Sequence, residues 1–392
     1  MTKFLFLTTA FFLLFTHGLL AQNVKTETEH AKTQLKYAFE EITKFRSRNP
    51  KVVSPRSVRA DTLFMVPSSD WTSGFFPGNL WFMYELTKDK FWMKKAQEFT
   101  ANIENEKQNG KTHDMGFKMY CSFGNGYRLT KDLKYKAILL ESARTLITRF
   151  NPKIGCIKSW EHHNDVWQFP VIIDNMMNLE LLFWAFKETK DSTFYKIAVS
   201  HADTTLKNHF RPDFSSYHVV GYDLKTGKAI QKNTHQGYSD ESAWARGQSW
   251  GLYSYTMCYR ETGKIAYLNH AENIAKYILN HPNLPTDLVP YWDFNAPDVP
   301  NSPRDVSAAS LMASAFYELS VLVPKKATFY RQTANKILQN ISNKYRVKSS
   351  TNKGFLLTNS TGHFPNNLEI NVPIVYADYY YLEALLRKKR LK

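Results

Sequence analysis

The sequence predicts an all-α protein, a closed ring of six helical hairpins of the (α/α)6 barrel type. Three observations lead there. One turn motif recurs between helical patterns, about twelve apolar periodicities of helical spacing can be counted, and the long irregular insertions fall between the hairpins.

The turn motif is Leu86-Thr87-Lys88-Asp89, then Leu129-Thr130-Lys131-Asp132, then Glu188-Thr189-Lys190-Asp191, and more loosely Glu261-Thr262-Gly263-Lys264. Each ends one helical pattern and opens another, with Asp placed to accept the orphan N–H groups of the second helix. The periodic segments run near 24–48, 75–87, 90–106, 114–129, 132–150, 169–189, 192–210, 242–262, 265–281, 304–322, 326–345 and 371–389. Taken in order they pair into six hairpins. A straight solenoid is the alternative, and the irregular, heavily inserted repeats argue against it.

The insertions at 151–168, 211–240, 282–303 and 346–370 carry Gly, Pro, His and Trp. Lying between hairpins, they are expected to gather at one end of the ring and shape a cleft. Tyr217 to Tyr222, ahead of Gly227, reads as a small β-hairpin. No linker rich in Pro, Gly or Ser divides the chain, so 22–392 is expected to be one domain.

Residues 1–21 read as a signal peptide. Lys3 precedes an apolar run from Phe4 to Phe15, and Ala21 precedes the polar Gln22. The run is shorter than the roughly 18–20 apolar residues of a membrane span. A periplasmic or secreted protein, without stable membrane insertion once the leader is removed, is the expectation; a retained anchor is the alternative.

Lys and Arg exceed Asp and Glu, giving a net charge of +16. A basic exported protein points to polyanionic partners, and anionic polysaccharide fits export better than nucleic acid does. A merely solvated Lys surface would give the same number. The three cysteines, Cys121, Cys156 and Cys258, have neither the count of a disulfide framework nor the spacing of a zinc site. Aromatic residues are abundant, and several of the 9 Trp sit beside polar residues. Flat rings of that kind pack on the C–H face of a pyranose while polar neighbours bind its hydroxyls.

No phosphate loop, His-Glu-x-x-His or nucleophile elbow is present. What remains is carboxylates near aromatics, the inventory of carbohydrate chemistry. Asp114, in His113-Asp114-Met115-Gly116-Phe117, opens a helical pattern and is either an N-cap or a functional acid. Asp174 lies in the apolar run Val171-Ile172-Ile173-Asp174-Asn175-Met176-Met177-Asn178, read as helix interior. Burial should raise its pKa and keep it protonated near neutrality, as a general acid requires; a satisfied structural carboxylate is the bland reading. Arg246 and Trp250, and likewise Trp244 and Gln248, are four apart and share helix faces. A cation among rings suits an acidic sugar, or else Arg simply stacks on Trp. His162-His163 is read as loop.

At these segments the sequence resembles the unsaturated glucuronyl hydrolases of glycoside hydrolase family 88. The matching stretches are 71–78, 113–117, 172–178, 236–248, 291–294, 303–309 and 376–385, in order along nearly the whole mature chain. The resemblance implies an (α/α)6 barrel and hydration of a C4=C5 double bond in a terminal uronic acid, with no metal or cofactor. By the same resemblance Asp174 is the general acid and base and Asp114 the second essential carboxylate. Trp71, Trp160, Trp244 and Trp250 become stacking or wall positions, and His113, His218, His235, Gln236 and Arg246 surround the unsaturated sugar. Ser360 and Thr361 fall on the variable loop facing the leaving sugar, where sulfate-preferring members carry a Ser/Lys cluster; here the nearest Lys is Lys353. The expected partners are unsaturated uronyl oligosaccharides of chondroitin, hyaluronan or heparin type, bound by a monomer or dimer. The alternatives are a rhamnogalacturonyl hydrolase acting on pectin fragments, a toroidal polysaccharide lyase and a non-catalytic sugar-binding scaffold.

Overall fold

The computed structural model describes the backbone of residues 2–163 and 165–391, with side chains from Val24 onward. The leader expected over 1–21 lies outside the residues whose side chains are described. Among the described residues no helix is long and apolar enough to cross a membrane.

The described residues form twelve α-helices. The outer ring is α1 (Thr2–Arg46), α3 (Lys90–Ala101), α5 (Leu133–Ile147), α7 (Ser192–Asn208), α9 (Ile265–Asn280) and α11 (Ala327–Lys344). The inner ring is α2 (Phe75–Thr87), α4 (Asn125–Thr130), α6 (Leu179–Thr189), α8 (Ala245–Thr262), α10 (Val306–Leu322) and α12 (Val375–Arg390). A π-helical segment, Gly116–Gly124, runs directly into α4. Each inner element packs on the next, and α12 packs back on α2. That closing contact makes the chain an (α/α)6 barrel and rules out the solenoid.

Sequence explains which helix goes where. Outer helices present one apolar stripe; in α5 it is Tyr135, Ile138, Leu139, Ser142, Ala143 and Leu146. Inner helices are buried all round, as α10 is from Val306 to Ser320. Its many Ser and Ala side chains let neighbouring helices approach closely, and their hydroxyls bond back to their own turn, as Ser320 does to Tyr317.

The recurring turn is one device used three times. Lys88, Lys131 and Lys190 take left-handed backbone conformations with φ near 60° that end α2, α4 and α6. Asp89, Asp132 and Asp191 then accept from the N–H of Phe91, Lys134 and Thr193. In the fourth copy Gly263 takes the left-handed position and Lys264 offers no side-chain cap.

Two expectations need correction. The segment 169–189 is not a single helix. It begins as strand β5 (Phe169–Ile172), turns through a 3₁₀ segment (Ile173–Asn178), and only then becomes α6. Pro170 and the β-branched Val171 and Ile172 favour extended backbone. They pair antiparallel with β6 (Val219–Tyr222), which pairs in turn with β7 (Ala229–Asn233) as the expected hairpin. The segment 114–129 is likewise π-helical before it is α-helical. A further hairpin, β1 (Ser54–Arg59) with β2 (Thr62–Val66), precedes α2, and a minimal pair, β3 (Phe150–Asn151) with β4 (Cys156–Ile157), follows α5. The three cysteines are buried and free.

Candidate active site

All the long insertions precede inner elements, so they crowd the end of the barrel where the inner helices begin. The cleft they frame is lined by Trp71, His113, Asp114, Trp160, Asp174, His235, Gln236 and Arg246. Residues from five separate stretches of sequence therefore meet in one place.

Asp174 sits at the floor. The β5–β6 pairing fixes the chain just before it, and the Ile173 N–H donates to the His218 carbonyl at 3.0 Å. Its carboxyl is only 10 % exposed, and its Oδ2 has no hydrogen-bond partner. Burial pushes its pKa up to about 7. Arg246 and the Trp250 indole oppose that rise, and the Asp114 charge adds to it. Asp174 is thus not a satisfied structural carboxylate.

Asp114 is not an N-cap: no side chain caps the π-helical segment. Its Oδ2 accepts from the Thr112 hydroxyl at 2.6 Å, and its Oδ1 lies 3.2 Å from Nε2 of the buried His113. Burial lowers the His113 pKa, with Asp114 pulling the other way. The loop ahead of Asp114 is anchored by a buried ion pair, Lys118 to Glu106 at 2.8 Å, with Ser68 and Asn109 also donating to Glu106. Gly116 is obligatory for this arrangement. A Cβ there would lie 2.6 Å from the Asn178 Cα, and Asn178 itself accepts from the Phe117 N–H.

Arg246 is 1 % exposed. Its guanidinium pairs with Asp305 at 3.0 Å and donates to the carbonyls of Thr361 and Gly362. It lies 4.4 Å from the Trp244 ring centroid and 5.2 Å from that of Tyr376. Arg246 and Trp244 thus stack on each other, as the second sequence reading allowed, while the guanidinium still borders the cleft. Gln236 reaches the Gly362 carbonyl beside it.

Five expected site residues lie behind the wall and not on it. Trp250 is fully buried against Phe117 and Tyr380. Trp244 is buried over His218. His218 accepts at Nδ1 from the N–H groups of His235 and Gln236. Ser360 and Thr361 are buried too; the Thr361 hydroxyl donates to the Arg304 carbonyl. Side chains so placed support the lining.

Several lining residues escaped the sequence reading. Arg56 comes from the β1–β2 hairpin and forks onto Glu369, with a third bond to Asp70. Thr112, His162, His163, His363 and Tyr376 cluster on or beside the same surface. Tyr376 lay inside a quoted stretch, His162 and His163 were read only as loop, and the others had no local pattern to announce them. Among the described residues no group of three or more His, Cys, Asp or Glu is arranged to hold a metal.

Comparison with known proteins decides the family. The model of glycosyl hydrolase family 88 matches residues 41–381. The chain belongs to glycosyl hydrolase family 88. An unsaturated glucuronyl hydrolase of Formosa agariphila is 47 % identical to this family 88 chain over 97 % of its length and 98 % of the relative's. An unsaturated chondroitin disaccharide hydrolase of Streptococcus agalactiae is 31 % identical over 82 % of both chains. A crystal structure of an unsaturated glucuronyl hydrolase specific for heparin superposes with a TM-score of 0.88. It is 47 % identical and covers 94 % of this chain and 97 % of the other. This family 88 protein is therefore an enzyme, a glycosidase of the unsaturated glucuronyl hydrolase class.

Proposed function

We propose that the enzyme removes a terminal 4,5-unsaturated uronic acid from lyase-generated glycosaminoglycan oligosaccharides, with Asp174 as general acid and base. The observation that carries the reading is Asp174 itself, a buried carboxyl on the cleft floor whose pKa burial pushes up to about 7, with one oxygen unpartnered.

Asp174 gives its proton to C4 of the vinyl ether, and positive charge develops at C5 and the ring oxygen. The carboxylate left behind faces that charge in a poorly solvated pocket, where its attraction is strongest. It then takes a proton from a water that adds to C5. The resulting hemiketal opens, and the glycosidic bond at C1 breaks. One group serves twice because its pKa lies near the working pH. Asp114, steadied by Thr112 and His113, holds hydroxyls of the same ring and keeps the Asp174 pKa high. Trp71 and Trp160 supply flat faces for the sugar.

The glycosaminoglycan assignment rests on the similarity to the heparin-specific and chondroitin disaccharide hydrolases, and the charge of +16 supports it. An exported, periplasmic or secreted, location is part of this proposal and rests on the leader motif.

The test is a panel of unsaturated disaccharides from heparin, chondroitin and pectin lyases, followed by loss of the ultraviolet absorbance of the conjugated uronate. Loss on the glycosaminoglycan products supports the proposal. Loss on the pectin product alone redirects it to a rhamnogalacturonyl hydrolase. A gain of absorbance on intact polymer makes the enzyme a lyase.

A further inference from the structure

Four histidines meet at the mouth of the cleft. His162 and His163 come from the loop after β4, His235 from the loop after β7, and His363 from the loop before α12. Ring centroids are 4.8 Å apart for His162–His163, 5.4 Å for His163–His235 and 4.8 Å for His235–His363. Trp160 stacks on His162 at 4.8 Å, and Trp167 packs edge-on to His163 and His235. His162 and His163 are exposed, and the other two are half-buried.

Two donors here are unfilled. The Asn366 amide donates to His363 Nε2 at 3.1 Å, which places the ring proton on Nδ1; that Nδ1 has no partner. The Trp160 indole N–H has none either.

The arginines around the cluster are already committed. Arg246 is neutralised by Asp305, and Arg56 by Glu369 and Asp70. On the cluster's own loop, Glu161 is held by Arg149 and Lys158. Behind the cluster, His218 is kept neutral by burial and by its two backbone donors. Lys111 stands exposed at the rim. An acidic ligand therefore enters a cleft whose arginines are spoken for, and the imidazoles are the groups that can still gain charge. Burial and the neighbouring rings oppose charge on His162, His235 and His363. Burial first, and the neighbouring histidines next, hold His235 near 4; burial, His235 and Arg246 hold His363 near 4.

We propose that this histidine cluster reads a sulfo group on the leaving sugar by taking up a proton as the sugar binds. The inference rests on the proposed reaction for its direction: with the unsaturated ring over Asp174 on the floor, the leaving sugar lies at the mouth. A sulfo group among the rings replaces mutual repulsion with attraction, so charge on His162, His235 and His363 becomes favourable only in the complex. Sulfated substrates then bind better as pH falls, and unsulfated ones do not.

The test is calorimetric binding to the full-length Asp174→Asn protein at pH 6 and pH 7.5, in buffers of different ionisation enthalpy. The probes are a 6-sulfated unsaturated chondroitin disaccharide and its unsulfated counterpart. The expected result is about tenfold tighter binding of the sulfated probe at the lower pH, with net proton uptake, and about twofold or less for the other. His162→Gln/His163→Gln should lose the difference while keeping its circular dichroism spectrum. His162→Arg should keep the sulfate preference but flatten its pH dependence. Equal pH dependence for both probes, absence of proton uptake, or no binding of the sulfated probe overturns the proposal. Turnover of the unsulfated disaccharide by the unsubstituted enzyme reports separately on the hydrolase reading.

Discussion

The Nε2 atom of His218 lies 3.7 Å from Oδ2 of Asp174, beyond hydrogen-bond distance, and both atoms are buried without a hydrogen-bond partner. Because Nδ1 of His218 accepts from two backbone N–H groups, the ring proton sits on Nε2 and faces the carboxyl. A neutral imidazole thus packs beside Asp174 and helps bury it without adding charge. It also ties the loop bearing His235 and Gln236 to the floor.

His218→Ala removes both effects. We expect kcat/KM to fall by about 100-fold, because the catalytic carboxyl and the loop both lose their register. In the unsubstituted enzyme, activity falls about tenfold per pH unit as the pH rises beyond about 7, since the protonated fraction of Asp174 falls. In the variant that alkaline limb moves to lower pH, because the space opened beside Asp174 relieves the burial that raises its pKa. A pH–rate profile of both proteins checks the direction.

Asp174→Asn should abolish turnover and raise stability above neutral pH. The folded-state pKa is raised from 3.8 to about 7, so ionised Asp174 opposes folding. That cost is absent below about pH 4, grows between about 4 and 7, and is complete above. The span corresponds to about 4 kcal/mol as an upper limit. Thermal melts of both proteins at pH 4 and pH 8 should diverge only at pH 8, with the Asn variant melting higher.

Arg246→Met should be costly, by about 3–5 kcal/mol, because it strands the buried Asp305 charge. It also frees the Thr361 and Gly362 carbonyls. Adding Asp305→Asn should recover part of the loss, since Asn still caps α10. Denaturant melts of the two variants, with hydrogen exchange over 358–368, read this out; no recovery would show that the loop contacts, not the charge, dominate.

Much of the ring was legible because its signals are local. The Thr-Lys-Asp turns at 87–89, 130–132 and 189–191 announce both a helix end and a helix start, and the observed bounds of α2 are those read from the sequence. The setting of Asp174 was not legible. The run from Val171 to Met177 is apolar whichever way it folds, and its strand exists only because Val219 to Tyr222, some 50 residues on, pairs with it. Arg56 and His363 were missed, and the meeting of His162 and His163 with His235 was not foreseen, for the same reason: residues that meet only through tertiary structure leave no spacing to read. Trp250 and Ser360 show the converse. Sequence marked them as part of the site, but nothing in sequence tells a wall from the support behind it.

The central claim is that the glycosidic bond breaks through hydration of the double bond by Asp174. It is tested most directly by following two signals in one reaction with an unsaturated glycosaminoglycan disaccharide: the absorbance of the conjugated uronate and release of the leaving sugar. Hydration predicts that chromophore loss keeps pace with sugar release, and that both cease in Asp174→Asn. Release of the leaving sugar with the double bond retained, or normal release by Asp174→Asn, would contradict it.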